Sequence, residues 1–249
     1  MPKLSDNDKL LHRIHSRAGK AMKDYGLIQD GDRILIGLSG GKDSLALVEV
    51  LASRARIFKP KFEVTAVHVS MSNVPYQADT DYLQRYCASW GVGFEHRVGS
   101  FDPDTDPQRG PCFLCAWNRR KILFEAARDL HCNKIALGHH QDDILETLLM
   151  NLCFQGAFST MPPLLETDKL DVDIIRPLCL VREHELRAMA QIRQYPKQIK
   201  NCPYETVSNR HNIRAILQEM ERLNPEAAAS LWGAMTNIQT RYLPNKIQP

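Results

Sequence analysis

Long apolar runs are absent from this sequence of 249 residues, in which hydrophobic residues make up 43% and charged residues 24%. A helix that crosses a bilayer needs about 20 consecutive apolar residues, so no membrane-spanning segment is expected. The first twenty residues are rich in charge and contain no continuous apolar core, which predicts that no secretory signal is present. These absences predict a cytoplasmic protein that has no membrane partner.

The seven cysteines do not form the pattern of a disulfide-stabilised protein, because their number is odd and no secretory signal accompanies them. Four of them stand alone and mostly lie beside apolar residues, which predicts core or near-surface thiols: Cys87, Cys132, Cys153 and Cys179. The other three, Cys112, Cys115 and Cys202, are the candidates for a chemical role.

A strong excess of charge is also absent, since the net charge is +3 and the isoelectric point is about 8.4. The overall charge is therefore weak support for nucleic-acid binding. Its distribution says more, because residues 1–25 carry six Lys or Arg against three Asp, and residues 182–222 carry eight against five Glu. Residues 5–25 read as an amphipathic helix whose basic face either contacts nucleic acid or is simply solvated.

The sequence lacks the G-x-x-x-x-G-K-[ST] spacing of a Walker loop, and no G-x-G-x-x-G fingerprint follows its first strand. In their place, the apolar run 34–38 leads directly into Ser39-Gly40-Gly41-Lys42-Asp43-Ser44, and helix-spaced apolar residues follow. Adjacent glycines permit positive φ and close approach of a ligand, and amides at a helix N-terminus attract anions. The segment therefore predicts a phosphate-binding turn. The alternative is an ordinary strand-to-helix turn in which Asp43 and Ser44 act as caps.

Alternation between apolar strands and helix-spaced segments predicts an α/β fold with a parallel five-stranded, Rossmann-like sheet, flanking helices and a helical C-terminal extension. The predicted strands are residues 34–38, 62–69, 94–98, 134–137 and 173–178. The predicted helices include residues 5–25, 79–90, 111–130 and 181–194, with further helices after residues 44 and 143 and from residue 208. Residues 156–171 are predicted to be a linker, and Pro177 favours a strand end or an edge position.

Ligands of parallel sheets bind at the carboxyl ends of the strands, where two further segments are expected. The backbone at 68–70, after the second strand, is a candidate rim for adenine, although His68 itself could be purely structural. Residues 138–143 follow the fourth strand and include two carboxylates, of the kind that bind the Mg²⁺ of ATP. We assign the chemical role to Asp143, whereas Asp142 could serve only the helix N-terminus. Whether His139 or His140 takes part stays open.

Cys112 and Cys115 open a predicted helix and lie on nearly one face of it, where the positive helix end favours thiolates. The surroundings do not resemble a thioredoxin-type redox pair. A zinc site would want four ligands, and the sequence offers no second C-x-x-C or H-x₃-H partner. An iron-sulfur cluster can use three thiolates and leave one iron open. From the residues alone, zinc and iron-sulfur both stay possible.

The segment 39–44 resembles the S-G-G-x-D-S pyrophosphate loop of the N-type ATP pyrophosphatases. Over residues 9–240 the chain resembles the tRNA 2-thiocytidine synthetases (the TtcA family), with the 2-thiouridine synthetases as more distant relatives. The motifs that carry the likeness occur in the family's order: Ser-Gly-Gly-Lys-Asp-Ser, Cys-x-x-Cys with Arg119-Arg120, Leu-Gly-His-His-Gln-Asp-Asp, Met161-Pro162-Pro163, Ile175-Arg176-Pro177-Leu178 and Cys202-Pro203-Tyr204.

The resemblance implies an adenine nucleotide alpha-hydrolase-like (PP-loop) fold that uses ATP and Mg²⁺ and carries a [4Fe-4S] cluster on three cysteines. By match, Cys112, Cys115 and Cys202 would hold the cluster, and Asp143 and Arg119 would be catalytic. Residues 39–44, His68, Gly138 and Asp143 would form the ATP site. The implied domains are an N-terminal helix (1–30), a PP-loop ATPase domain (31–180) and an extension (181–249) that supplies the third cysteine.

Two departures from the family pattern affect these assignments. The distal cysteine of the 2-thiocytidine enzymes often continues into a second C-x-x-C, whereas this chain has Glu205 three residues after Cys202. Glu205 would either approach the fourth iron or be a surface acid, and we favour the second. The terminal zinc-finger cysteines of the 2-thiouridine type are missing, which favours cytidine as the substrate.

The reaction implied by the resemblance is the adenylation of a pyrimidine C2 oxygen in an unpaired anticodon-loop residue of tRNA, followed by displacement of AMP by sulfur. The sulfur donor would be a cysteine desulfurase or free sulfide, and a homodimer is a possible assembly. One rival is an ATP-dependent ligase, amidotransferase or lysidine-forming enzyme, which would not need three cysteines. The other is a non-enzymatic nucleotide-binding protein with a zinc knob.

Overall fold

The computed structural model describes residues 4–57, 59–74, 78–105, 110–167, 171–197 and 209–244. The helices in these ranges are α1 (Asp6–Asp24), α2 (Lys42–Ala55), α3 (Thr80–Trp90), α4 (Pro111–Asp129), α5 (Gln141–Gln155), α6 (Glu183–Ile192), α7 (Asn209–Leu223) and α8 (Ala227–Ala234), followed by a 3₁₀ turn at Thr240–Tyr242. The strands are β1 (Arg33–Gly37), β2 (Glu63–Met71), β3 (Gly93–Gly99), β4 (Lys134–Ala136), β5 (Leu164–Leu165) and β6 (Asp173–Ile175).

The chain forms two compact units. The first comprises residues 1–141 and 161–206, and the second comprises residues 142–160 and 207–249. The sheet belongs to the first unit together with α1 to α4 and α6, whereas the second unit contains most of α5 with α7 and α8.

The sheet has the strand order β3-β2-β1-β4-β6-β5. Its first five members run parallel, with β1 paired to both β2 and β4, so the predicted parallel five-stranded sheet is confirmed. The structure adds a sixth strand, β5, which lies inside the segment predicted to be only a linker and pairs antiparallel with β6. Two residues are too few to show an alternating pattern, which is why the sequence gives no sign of this strand.

Strand β1 is buried on both faces, because helices cover the sheet on each side. Ile34 and Ile36 belong to a core cluster shared with α1, α2, α3 and α6, whereas Leu35 belongs to a second cluster shared with α4. The two-residue period of a strand sends alternate side chains to opposite faces. The near-continuous apolar run of β1 therefore reflects its position in a three-layer arrangement.

Helix α2 is enclosed by its neighbours, and every residue from 44 to 52 is buried. Its one buried acid, Glu49, is 1% exposed and receives a two-pronged hydrogen bond from the guanidinium of Arg193, at 2.6 Å from Nη2 and 2.9 Å from Nε. The imidazole of His15 lies 3.5 Å from the same carboxylate, and the hydroxyl of Tyr195 donates to it at 3.3 Å. These contacts tie the middle of α2 to its neighbours and so fix the position of its N-terminus.

The second unit has a small apolar core contributed by α5, α7 and α8, with these buried members: Leu145, Leu149, Ile213, Leu217 and Ala228. Glu146 is fully buried there and accepts hydrogen bonds from Arg210 Nε at 3.1 Å and Arg214 Nε at 2.7 Å. In the part of the chain that the structure describes, no helix is both long enough and apolar enough to cross a membrane.

Candidate functional site

The centre of the sheet provides a switch point for ligand binding. Strands β2 and β3 lie on one side of β1, whereas β4, β6 and β5 lie on the other. The turns that leave the carboxyl ends of β1 and β4 diverge at this point, which is where open parallel sheets bind ligands. The turn after β1 is 39–44, and the turn after β4 is 137–141.

The phosphate-turn candidate, residues 39–44, is organised by its own hydroxyl groups. Gly40 has a φ of +85°, which a residue with a side chain rarely adopts. Ser44 is 3% exposed, and its Oγ accepts from the amide of Gly40 at 3.1 Å and donates to the carbonyl of Gly41 at 2.9 Å. Gly41 is the N-cap of α2 and has no side chain with which to cap it. The start of α2 thus presents backbone amides and the helix dipole to an anion.

Lys42 and Asp43 place two charges at the same helix start. The ammonium of Lys42 lies 2.9 Å from the carboxylate of Asp43 and 3.7 Å from that of Glu183. All three side chains keep some access to solvent, between 17% and 29%. The ammonium of Lys42 is therefore already at the helix start and needs only a small movement to contact a bound phosphate.

Gly138 brings the turn after β4 directly against the phosphate turn. A Cβ atom at this position would lie 3.1 Å from the carbonyl carbon of Asp43 and 3.1 Å from the amide nitrogen of Ser44. Because both neighbours are backbone atoms, they cannot swing aside as a flexible side chain could. The close contact accounts for glycine at 138 and places the two turns of the switch point in van der Waals contact.

His68 is 2% exposed, and its Nδ1 lies 2.7 Å from the carbonyl oxygen of Leu38. Since a carbonyl can only accept, Nδ1 carries the proton. Burial lowers the pKa of His68, and the nearby charges of His96 and Arg119 lower it further, although the bond to Leu38 opposes the shift. The ring is therefore neutral at physiological pH, with Nε2 unprotonated. His68 ties the end of β2 to the residue that precedes the phosphate turn.

Arg119 lies on α4 close enough to His68 to influence its charge. Its Nε is buried, and within the described ranges it has no hydrogen-bond partner. A buried guanidinium nitrogen without an acceptor is costly, so it is suited to an anionic ligand. The structure thus brings Arg119 into the same neighbourhood as His68.

Cys112 and Cys115 occupy the first turns of α4, which starts at Pro111 after an N-cap, Gly110, that makes no side-chain cap. Cys112 is exposed and Cys115 is half-buried. Two soft thiol donors at a positive helix end suit either zinc or an iron-sulfur cluster, so these two residues fit as part of a metal centre. Cys202 and Glu205 lie outside the described residues.

The four remaining cysteines differ from this pair. Cys87, Cys132 and Cys179 are buried. Burial raises the pKa of the Cys87 and Cys179 thiols to about 12 and also raises that of Cys132. Such thiols stay protonated and do not readily bind metals. Cys153 is exposed on α5, in the second unit.

Asp143 lies in the first turn of α5, as predicted, and belongs to the second unit. Its carboxylate is 17% exposed and lies 3.4 Å from Nη2 of Arg210. Asp142 is buried in the same turn. The preceding His139 is half-buried and His140 is buried, 3% exposed.

Glu146 is a neighbour of Asp143 that the sequence patterns did not single out. It is buried one helical turn after Asp143 and shares Arg210 with it. The sequence does contain a signal, since Asp143 and Glu146 are three residues apart and Arg210 and Arg214 are four apart, spacings that place each pair on one helix face. Sequence reasoning alone gave no ground for pairing two helices so distant along the chain.

Comparison with known families identifies a PP-loop domain over residues 10–220. The chain is 35% identical over 241 residues to a tRNA-cytidine(32) 2-sulfurtransferase of Geobacter sulfurreducens, covering 93% of this chain and 91% of the relative. It is 36% identical over 244 residues to a protein of the same name from Syntrophotalea carbinolica, covering 95% of this chain and 93% of the relative.

Among solved structures, the fold is similar to that of the U34-tRNA thiolase NcsA from Methanococcus maripaludis, which was determined with its [4Fe-4S] cluster. The TM-score is 0.77 at 23% sequence identity, over 95% of this chain and 82% of that one. This similarity supports the α/β fold with its central parallel strands.

Proposed function

Because the chain belongs to the PP-loop family of tRNA-cytidine(32) 2-sulfurtransferases, we propose that it is an ATP-dependent enzyme that replaces the C2 oxygen of cytidine 32 in a tRNA anticodon loop with sulfur. The observation that carries the proposal is the presence, in one compact unit, of a phosphate turn at the sheet's switch point and an accessible pair of thiols at the start of α4.

The first step needs a site for the triphosphate. The amides at the start of α2 bind the departing pyrophosphate. Lys42, which forms ion pairs with Asp43 and Glu183, adds a positive charge. Gly138 keeps the facing turn close without obstructing the amides. The backbone beside His68 borders the adenine, while the buried His68 side chain fixes the turn through Leu38.

The adenylation step forms a bond between the C2 oxygen of the base and the α-phosphorus of ATP, and it breaks the α–β phosphoanhydride bond. Negative charge develops on the phosphate oxygens during this transfer and must be stabilised by positioned cations. Arg119 supplies a guanidinium whose buried Nε has no hydrogen-bond partner among the described residues, and we assign Asp143 as an oxygen ligand for the Mg²⁺ that accompanies ATP. The step turns the base oxygen into part of a leaving group, AMP.

The second step breaks the C2–oxygen bond, with AMP leaving, and forms a C2–sulfur bond. We assign Cys112 and Cys115, with Cys202 as the third ligand, to a [4Fe-4S] cluster. When bound, the cluster would supply an open coordination position that holds the sulfur nucleophile as a Lewis acid does. The exposed position of Cys112 leaves the centre accessible to a base.

The substrate has to present an unstacked base, which costs little in an anticodon loop because the base is unpaired. A cytoplasmic location, a cysteine desulfurase or free sulfide as sulfur donor, and a homodimer stay predictions that accompany this proposal. So does the division into an N-terminal helix (1–30), an ATPase domain (31–180) and an extension (181–249).

The test is reconstitution with anaerobically purified protein, unmodified tRNA, ATP, Mg²⁺ and sulfide, followed by mass analysis of the nucleosides. We expect 2-thiocytidine, AMP and pyrophosphate in equal amounts, and a brown protein that contains iron. Formation of 2-thiouridine would reassign the substrate base. A colourless protein that contains zinc and consumes ATP without transferring sulfur would contradict the proposal and favour a cluster-free PP-loop ligase.

A further inference from the structure

A stripe of aromatic and basic side chains runs down the outer face of α4, away from the thiols. Its members recur at helical spacing and are exposed or half-exposed: Phe113, Trp117, Arg120, Lys121, Phe124 and Arg128. Spacings of three and four residues place them on one face of the helix. With a rise of about 1.5 Å per residue, the stripe extends about 22 Å from its first member to its last. It begins immediately beside Cys112.

The part of the stripe from Trp117 to Arg128 lines a cavity of about 770 Å³. The cavity wall is completed by the segment 131–133, which leads into β4, and by Asp171 and Val172, which precede β6. Every lining residue belongs to the first compact unit. The cavity therefore lies toward the amino ends of β4 and β6, whereas the phosphate turn follows the carboxyl end of β1, and nothing in the proposed chemistry uses it.

The cationic side chains of the cavity are available for a ligand. Arg120 and Arg128 are exposed, and among the described residues neither has a carboxylate within salt-bridge distance. Lys121 reaches Glu125 only at 3.9 Å. The lining thus holds three full cations and His131 against two carboxylates, Glu125 and Asp171.

Trp117 gives the stripe a flat surface for stacking. Its side chain is 49% exposed, and the ammonium of Lys121 lies 6.0 Å from the centre of its ring. Phe113, one turn closer to the thiols, is 46% exposed. Aromatic rings interleaved with cations are the arrangement that binds unpaired nucleotides, since bases stack on the rings and phosphates meet the cations.

We propose that the outer face of α4 and the cavity at its foot bind an unpaired stretch of the RNA substrate, with a base stacked on Trp117 and phosphates bound by Arg120 and Arg128. The site rests on the proposed function, because it would hold the tRNA while the target base enters beside Cys112. The occupant is RNA rather than a second copy of the chain, since a phosphate backbone matches the exposed guanidinium groups and bases match the exposed rings.

The experiment measures binding of an unmodified tRNA transcript to the full-length protein by fluorescence anisotropy over a range of salt concentrations. We expect Trp117→Ala to weaken binding between about fivefold and about a hundredfold, the loss of one base–aromatic stack. Trp117→Tyr should largely restore binding, because tyrosine also stacks. RNA should quench less tryptophan fluorescence in Trp117→Tyr than in the wild type, a signal that a purely structural role of Trp117 would not produce.

The Arg120→Ala/Arg128→Ala variant should lower the slope of log affinity against log salt by about 0.7 for each phosphate that an arginine no longer neutralises. Its matched control is Arg85→Ala, which removes an exposed arginine from α3, on the opposite face of the sheet. That variant should bind tRNA as the wild type does. Asp171→Asn should bind equally well or more tightly, since it removes a negative charge from the cavity.

The outcomes separate this inference from the proposed function. If Trp117→Ala and the double arginine variant bind and thiolate tRNA as the wild type does, the RNA site on α4 is wrong while the proposed activity stands. If Trp117→Ala changes only the oligomeric state, the face is a protein interface and the inference is overturned. If the wild type binds tRNA no better than an unrelated RNA and forms no thiolated nucleoside, both fail together. Unchanged ATP binding in each variant verifies that it is folded.

Discussion

The helices α2 and α4 begin in the same way, yet they begin in different surroundings. Each starts at a glycine N-cap with extended backbone, Gly41 at ψ 157° and Gly110 at ψ 155°, and neither has a side-chain cap. In contrast, α1 and α3 are capped by the side chains of Ser5 and Asp79. The helices assigned to ligand binding are thus ones whose first amides are not occupied by a side-chain cap.

The starts of α2 and α4 differ in the contacts that hold them in place. The start of α2 is set by buried hydroxyl bonds within six consecutive residues and by a helix that is buried beyond it. The start of α4 carries an exposed and a half-buried thiol, and under the proposed assignment its metal centre would need Cys202 as a third ligand. The phosphate turn is therefore preformed, whereas under that assignment the thiol site would be completed only when its metal binds. Damage to one should leave the function of the other intact.

The largest expected effect is the loss of sulfur transfer in Cys112→Ala. Removing one of three thiolates leaves too few ligands to hold the cluster, so we expect colourless protein, loss of bound iron and no thiolated nucleoside. ATP binding should be unchanged, because the phosphate turn is held by its own hydroxyl groups and packs against Gly138. Visible absorption, iron content and nucleoside mass analysis measure the first three results, and calorimetric titration with ATP measures the last.

The matched control for Cys112→Ala is Cys153→Ala, which removes another exposed cysteine, in the second compact unit. It should keep both the cluster and the activity. If Cys153→Ala loses iron as Cys112→Ala does, or if Cys112→Ala retains its iron, the assignment of the thiol site to the start of α4 is wrong.

The features that could be predicted from the sequence are those that depend on residues close together along the chain. The phosphate turn is contiguous, and its glycines, hydroxyls and flanking apolar runs are all local signals, so the turn and the five parallel strands were predicted from the residues. The pairing of β5 with β6 was not, because a strand of two residues shows no alternating pattern. The shared pairing of Asp143 and Glu146 with Arg210 was not either, because it joins two helices distant in sequence. The helical spacing of the two acids and of the two arginines is visible in the sequence, but nothing in that spacing shows that the two helices face each other.

The next effect concerns Glu49, the buried acid that anchors α2. Glu49→Gln is expected to lower the free energy of unfolding by about 2–3 kcal/mol. Burial alone would raise the pKa of Glu49, but hydrogen bonds from His15 and Arg193 outweigh it and hold the pKa below the usual value of a glutamate. A carboxyl whose pKa is lower in the folded state stabilises the fold above its unfolded pKa. That contribution is lost as the pH falls through the folded value.

Urea denaturation at pH 7 and at a series of lower pH values measures this effect. The wild type should lose stability as the pH falls from the usual pKa of a glutamate through the lower pKa of Glu49 in the folded state, and Glu49→Gln should lose less over the same range. The control is Glu63→Gln, whose carboxylate is 77% exposed and lies 3.5 Å from Arg33, so it should change stability by no more than about 0.5 kcal/mol. Parallel pH curves for the wild type and Glu49→Gln would show that this carboxylate is not the titrating anchor.

A smaller effect is expected at the contact between the two turns. Gly138→Ala places a methyl group 3.1 Å from the backbone of Asp43 and Ser44. Relief requires the phosphate turn to shift, at a cost of about 1–2 kcal/mol, which corresponds to roughly tenfold weaker ATP binding. The cluster should be retained, which makes this variant the counterpart of Cys112→Ala. Gly19→Ala, where a Cβ meets no atom within 4 Å, is the control and should bind ATP normally. ATP binding by Gly138→Ala equal to that of the control would contradict the close fit.

The smallest effect tests the contrast between capped and uncapped helices. Asp79 caps α3 by accepting from the amide of Tyr82 at 2.8 Å, so Asp79→Ala should destabilise the fold by about 1 kcal/mol while ATP binding and the cluster persist. The reverse change, Gly41→Ser, supplies α2 with a side-chain acceptor for its first amides. If those amides bind pyrophosphate, the new hydroxyl competes with the ligand, so ATP binding should weaken although the helix gains a cap. Melting curves and ATP titrations of both variants distinguish amides that serve only the stability of a helix from amides that bind a ligand. A new side-chain cap should weaken ATP binding only where the ligand uses those amides.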